Sequence, residues 1–416
     1  MAANLVRDVS ISRVLGVSAV SDAVFLALSL PVFVVMVVAI GFRSASLPFV
    51  ERVKQTYGMA DAAACVAHLL LLAFLGFAGL ALLIGVSAPF AARWFPGVSF
   101  DAAATARVLV MCLPMFVVSA VAMMLEGPLQ ASGLFLAPAL LKSLMPMGFA
   151  CGLFLGVHSD SITYGLVGGS LGAVAQCLLT AAAAHRAGLS APVHLHLKHA
   201  ELPPLRVQFG YLLLAGSITY LNPLINQWMS TPLGTGAVST LAYASRLSTG
   251  VSTLAISSTT PALLAQFSRL AAAGDRLNLT ISYKKACLLM IGIGGAGVLG
   301  TWLLARPVVE LLYQGKSLGP AQTDAIVQFL CISIVQLVPL ALGTCAAAML
   351  SATSQNRVFA PVGIILVSVN VLANLLFIHW FGLTGMALST IVMYCCSLTV
   401  MNVYLVRQRI IVWRAG

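Results

Sequence analysis

Charge is what this sequence is short of. Of its 416 residues only 8% are Asp, Glu, Lys or Arg, against the roughly 25% of an ordinary soluble domain. The soluble enzyme class is excluded on that count. Catalytic signatures are lacking too: the chain has no Walker loop, nucleophile elbow or zinc-protease motif. No enzyme activity, cofactor or metal centre is expected. The nine cysteines lie almost all inside apolar runs, where they read as small packing residues rather than a disulfide framework or metal site. Acidic residues number only 11 against 22 basic ones. The basic residues are spread thinly between apolar runs, which marks topology and not a nucleic-acid partner.

What the chain has instead is apolar length: 60% hydrophobic residues and a mean hydropathy of +1.01. A bilayer core about 30 Å thick takes ~20 apolar residues per helix. Eleven stretches nearly free of charge qualify: 23–42, 64–90, 106–125, 133–157, 162–184, 207–229, 237–264, 286–313, 325–350, 358–378 and 384–406. Residues 1–20 carry Arg7, Asp8 and Arg13 among Val and Ile. That segment reads as the second half of a twelfth, incomplete first helix, since it lacks the apolar core and cleavage site of a signal peptide. The bilayer is therefore the first partner.

Sorting basic residues by alternate loops places sixteen on one side and four (Arg93, Arg107, Arg306, Lys316) on the other, with Lys142 and Arg246 inside spans. The positive-inside rule puts the rich side, and both termini, in the cytoplasm.

An internal repeat organises the chain. Ser18-Ala19-Val20-Ser21 with Phe25 matches Gly236-Ala237-Val238-Ser239 with Tyr243. Tyr164-Gly165-Leu166-x-Gly168-x-x-Leu171 matches Phe381-Gly382-Leu383-x-Gly385-x-x-Leu388. Gln130-Ala131-Ser132 before Ala137-Pro138 matches Ser351-Ala352-Thr353 before Ala360-Pro361. The three pairs keep one order and nearly one offset. The expectation is an all-α polytopic membrane protein of two six-helix lobes, 1–190 and 207–416, joined by a cytoplasmic loop at 191–206. An even number of helices per lobe makes the repeats parallel, around a central cavity that works by alternating access.

Ionisable groups inside the bilayer are costly and face a cavity or a partner. Arg246, in Tyr243-Ala244-Ser245-Arg246-Leu247, and Lys142 lie about ten residues into their spans. Snorkelling to an interface is the competing reading for both. Asp22 follows Ser21 at the head of the second helix and reads equally as a helix cap. A cavity whose charges are Arg and Lys suits an anionic passenger such as a diphosphate. His194-x-His196-x-x-His199 has metal-ligand spacing but no partner elsewhere, and Asn370 with Asn374 reads as interhelical hydrogen bonding or a small-cation site.

Arg7-Asp8, Arg13, Gly16, Ser21-Asp22-Ala23 and Leu30-Pro31, with the later Gly236-Ala237-Val238-Ser239 and Tyr243-Ala244-Ser245-Arg246-Leu247, resemble the MviN/MurJ lipid II flippase family along nearly the whole chain. The resemblance implies the fold of the multidrug/oligosaccharidyl-lipid/polysaccharide exporter superfamily. It also implies movement of an undecaprenyl-diphosphate-linked sugar, lipid II foremost, across a bacterial inner membrane, with cell-wall or glycan assembly enzymes as further partners. It makes Arg7, Asp22 and Arg246 the charges that matter, with Arg13 on the same partial helix. Val35-Met36 stands where the family has an Arg pair, Ile40 where it has Glu, and Ser245 where it has Asp. Two further helices usual in the family are expected to be missing after Gly416. Asn226 occupies the place of an Asp that helps bind sodium in some members, so it joins Asn370 and Asn374 as an ion-site candidate. Lys142, where members carry a neutral residue, is expected to replace part of the lost Arg charge. The alternatives are a flippase for an exopolysaccharide or surface-glycan lipid, a drug or cation antiporter of the same superfamily, and a non-transporting scaffold.

Overall fold

The computed structural model describes residues 2–91, 102–157, 161–192, 199–256, 259–315, 318–408 and 410, and among them there are helices and no strand. Nine helices are long and apolar enough to cross a membrane among the described residues. With lipid rather than water around them, backbone groups must be satisfied within each segment, which leaves the helix as the way to span. The two other stretches singled out in the sequence, 207–229 and 237–264, are also helical; within the second, one described helix ends at Ile256 and another begins at Thr260.

The chain forms two compact units. The first holds Met1–Val238 with Gly315–Leu318. Its elements are α1 (Ala2–Leu15), α2 (Ala19–Tyr57), α3 (Met59–Ala91), α4 (Ala102–Met124), α5 (Glu126–Ala131), α6 (Leu136–Leu141), α7 (Leu144–Leu155), α8 (Ser161–Arg186) and α9 (Leu202–Ser230). The lobe boundary read from the repeat falls before α9, whereas the compact unit includes it, because α9 packs along α2.

α2 is the axis of this unit and touches α3, α4, α5 and α9. It starts in a capping box in which Ser18 and Ser21 satisfy each other's free backbone N–H groups. It ends at Gly58, whose φ of +100° only glycine adopts without strain. Near that end Phe49, Val53, Cys65, Leu125, Leu129 and Leu202 form a buried core that ties the ends of α2, α3, α5 and α9 together.

The tightest helix pair is α7 with α8. A Cβ at Gly148 or Gly168 would overlap the carbonyl oxygen of the other, and one at Gly152 would overlap that of Tyr164. Inside a bilayer the hydrophobic effect does not drive helices together, so close backbone packing through small residues takes its place.

The second unit holds Ser239–Gln314 and Gly319–Gly416. It comprises α10 (Ala237–Ile256, from Ser239 on), α11 (Thr260–Ala272), α12 (Arg276–Tyr313), α13 (Pro320–Ser333), α14 (Leu337–Ala352), α15 (Phe359–Phe381) and α16 (Leu383–Arg407). Asp275 caps α12. Hydrogen bonds from the Asn278 side chain and backbone hold the Asp275 carboxyl below its usual range. Phe267, Tyr283, Met290, Leu337, Cys345 and Met349 form the core. Tyr283 Oη donates to Asn402 Oδ1 at 2.7 Å, satisfying a phenol placed among apolar neighbours.

The α15–α16 pair repeats the device of α7–α8. A Cβ at Gly385 would overlap the carbonyl oxygen of Phe377. Gly168 and Gly385 are the matching glycines of the sequence repeat, so that motif records a helix-packing requirement.

Candidate functional site

α1 brings Arg7 into the first unit, and its side chain is almost fully buried there at 9% exposure. Its Nε and Nη2 both donate to Asp8 Oδ1, at 3.0 and 2.8 Å. A buried cation needs such a partner to offset the loss of water. Arg7 lines a cleft of about 120 Å³ whose other walls are α2 and α9, with Ser29, Val32, Tyr220, Pro223 and Gln227 among its lining. The Arg is thus within reach of a ligand, while its charge is already balanced within the same turn of helix. Asp8 was legible in the sequence only as half of an Arg-Asp dipeptide, and its role as the partner comes from the fold.

Asp22 is buried in the first turn of α2, and its Oδ2 accepts the backbone N–H of Gly236. Gly236 sits just before α10 with φ at +90° and its missing Cβ filled by Val17. A carboxylate there supplies the acceptor that the exposed N–H groups of a helix start require and complements the positive end of the helix dipole. The sequence offered Asp22 as a cap of its own helix or as a substrate contact. The structure has it capping the start of the other repeat's matching helix.

Arg13 is exposed in the last turn of α1, and Gly315 packs against its backbone. Lys142 is exposed and lies at a break: α6 ends at Leu141, and α7 begins at Leu144. The fifth span is therefore two short helices with the lysine at their junction. Asn226 is half-buried on α9.

In the second unit Arg246 is half-buried on α10. One turn before it, Tyr243 is fully buried against Tyr313, the rings 5.0 Å apart and the Tyr313 hydroxyl donating to the Tyr243 carbonyl. The tyrosine of the Tyr-Ala-Ser-Arg-Leu stretch thus fixes α10 on α12. Asn370 and Asn374 are both fully buried; Asn374 Nδ2 donates to Asn370 Oδ1 at 3.2 Å, and Ser389 on α16 donates to Asn374. These amides join α15 to α16. His194 and His196 lie outside the described residues.

A nearly buried ion pair escaped the sequence reading. Arg43 on α2 meets Glu126 on α5 at 3.3 Å, with the carboxylate only 7% exposed. Gly127 lets α5 settle against the Arg43 backbone, where any Cβ would collide with Ser46. Arg43 counted in the sequence only as one more cytoplasmic marker.

Long apolar helices with a few buried charges make this a polytopic membrane protein, and known structures agree on the fold. A lipid II flippase MurJ in an inward closed conformation matches with a TM-score of 0.82 at 18% identity, covering 97% of this chain and 85% of that one. An inward-facing multidrug resistance MATE family transporter of the MOP superfamily matches with a TM-score of 0.78 at 16% identity, covering 98% and 94%. The profile of the family described as lipid II flippase MurJ matches residues 11–415. The chain belongs to that family. A probable lipid II flippase MurJ of Bdellovibrio bacteriovorus is 28% identical in a 280-residue alignment that covers 64% of this chain and 51% of that protein. The chain spans about half the length of that relative.

Proposed function

We propose that this protein flips lipid II, the undecaprenyl-diphosphate-linked peptidoglycan precursor, across the bacterial inner membrane by alternating access, without covalent chemistry. The family match over residues 11–415 carries the reading. The basic bias of one set of loops supports cytoplasmic termini. Arg7, Arg13, Lys142 and Arg246 are the groups that would attract the diphosphate, and Arg can hold it through paired hydrogen bonds. Asp22 would help hold the resting state through Gly236. Asn226 in place of a carboxylate makes a weak site for a hard cation, which favours membrane potential over sodium as the drive. Asn370 and Asn374 serve this reading as interhelical ties. Cell-wall assembly enzymes would be the neighbours that supply and consume the lipid.

A cation antiporter would need free carboxylates in its cavity. Asp22 accepts from Gly236 and Glu126 pairs with Arg43, which speaks against that alternative. The second reading worth keeping is a flippase for another lipid-linked glycan, favoured by Val35-Met36, Ile40 and Ser245 in place of charged family residues. The deciding experiment is complementation of a strain depleted of its lipid II flippase. Rescue of growth and of lipid II externalisation supports the first reading. Failure at normal membrane levels, with restored export of a surface glycan in a matching export mutant, establishes the second.

A further inference from the structure

Next to the Arg7 cleft, farther along the same α2–α9 pair, runs a second and wider groove of about 370 Å³. α3 closes it, and Val38, Leu72, Gly76, Phe77 and Phe209 are among its walls, with Arg206 the one charged side chain in the lining. Phe209 stands edge-on to Phe42, ring centroids 5.9 Å apart, which holds the α2–α9 wall in place. Ligand pockets for molecules of a few hundred daltons are roughly 300–1,000 Å³, so the groove is large enough for a chain rather than for single waters.

Three features identify the occupant. First, α3 turns large apolar side chains outward, among them Leu72, Phe74 and Leu75, so in a bilayer the groove lies against hydrocarbon. Second, its α3 wall runs from Leu69 to Leu80, which at a rise of 1.5 Å per residue is about 16 Å. That is close to half of the ~30 Å hydrocarbon core, the depth of one leaflet; a long polyprenyl chain would overrun it. Third, Arg206 lies near the start of α9, at the end where basic loop residues gather, and is exposed. Arg43 and Arg52 on α2 are paired with Glu126 and Glu201, while Arg206 has no acidic partner among the described residues. A single cation at headgroup level above a one-leaflet apolar slot matches a phosphate joined to an acyl chain.

We infer that this groove binds an anionic glycerophospholipid of the basic-side leaflet, its phosphate on Arg206 and one acyl chain between α2, α3 and α9. The site is separate from the Arg7 cleft and does not depend on which cargo the protein moves. It would couple the α2–α9 contact to the charge of the surrounding membrane.

The test uses the full chain in phosphatidylcholine vesicles containing a small fraction of phosphatidylglycerol with a photoreactive diazirine in its acyl chain. The same label on phosphatidylcholine serves as the neutral probe, and mapping is by peptide mass spectrometry. The phosphatidylglycerol probe should label segments 69–80 and 205–213 in preference to the neutral probe, and Arg206→Gln should reduce that preference about fivefold, the worth of one basic side chain at an anionic surface. Gly76→Trp should block the slot and lower labelling by both probes, since nothing lies within 4 Å of a Cβ placed at Gly76. Should that variant fail to insert, Arg206→Gln still decides. Equal labelling by the two probes, or a preference that Arg206→Gln leaves intact, overturns the assignment. So does displacement of the probe by inorganic phosphate or by undecaprenyl phosphate as readily as by unlabelled phosphatidylglycerol, the first marking a bare anion site and the second a cargo site. Because labelling is read in the resting protein, its failure leaves the flippase reading standing, and failed complementation leaves this one standing.

Discussion

Asp22 and Gly236 stand 214 residues apart and are joined by a hydrogen bond from the Gly236 amide to the Asp22 carboxylate. They belong to matching stretches of the repeat, so the head of one repeat's second helix caps the head of the other's. A hydrogen bond to a charged group contributes about 1.5–3 kcal/mol. Asp22→Ala should lower stability by about that much, and Asp22→Asn, which keeps an acceptor, by less. Thermal unfolding of the purified protein checks the order. An Asp22→Ala protein as stable as wild type would show that the bond contributes nothing.

The repeat makes a paired prediction about packing. Gly168→Leu and Gly385→Leu each force a side chain into a backbone carbonyl of the neighbouring helix, where overpacking costs about 1–3 kcal/mol or more. Gly79→Leu and Gly300→Leu, at positions with nothing within 4 Å of the new Cβ, should leave stability close to wild type. Comparable losses at 168 and 385, read from melting temperatures, are expected if the two motifs serve one purpose.

Much of the fold was legible because membrane helices announce themselves through composition. Runs without charge located the helices, and the glycines at 168 and 385 marked the repeat. Two kinds of fact were not legible. Helix interruptions, such as the break at Lys142, leave no compositional trace when both halves are apolar. Partnerships between charges depend on tertiary placement: Asp8 is adjacent to Arg7, yet Glu126 lies 83 residues from Arg43. Consequently the sequence identified the cations and overlooked what neutralises them. For Asp22 it offered a cap or a ligand contact, and the structure has a cap on a helix the sequence had no means of pairing with it.

The Arg43–Glu126 pair is open to a charge test. Arg43→Gln leaves a nearly buried carboxylate uncompensated, which costs several kcal/mol in a closed interior. Because Arg43 is 38% exposed, solvent screens part of this, and a loss of about 1–2 kcal/mol is expected. Glu126→Gln in the same chain should recover most of it. A double variant no more stable than Arg43→Gln alone would mean that the pair is not what holds α5 on α2.

Orientation follows from the basic bias. Cysteines introduced at Lys54 and at Arg276, in a background lacking the native cysteines, should be inaccessible to a membrane-impermeant maleimide added to intact cells and should react once the membrane is opened. Labelling of either from outside would reverse the assignment of sides. The two positions belong to different compact units, so agreement between them tests the parallel repeat as well as the charge rule.

The final prediction concerns the anion. Arg7 is neutralised by Asp8, and Val35-Met36 removes the positive charges expected beside it, so the first unit is poorer in free cation than its family resemblance implies. Lys142 is exposed at the α6–α7 junction. An ammonium there can reach the membrane interface or a diphosphate. If it serves the diphosphate, Lys142→Gln removes a charge-assisted contact worth about 1.5–3 kcal/mol and lowers flipping about tenfold or more at equal membrane levels, with little change in melting temperature. Arg246→Lys should also slow flipping, since an ammonium cannot reproduce the paired hydrogen bonds of a guanidinium. Asp8→Asn provides the opposite control: it frees the Arg7 charge and should tighten substrate binding even where turnover falls. Normal flipping by Lys142→Gln would assign that lysine to the membrane interface alone and leave Arg246 to carry the anion.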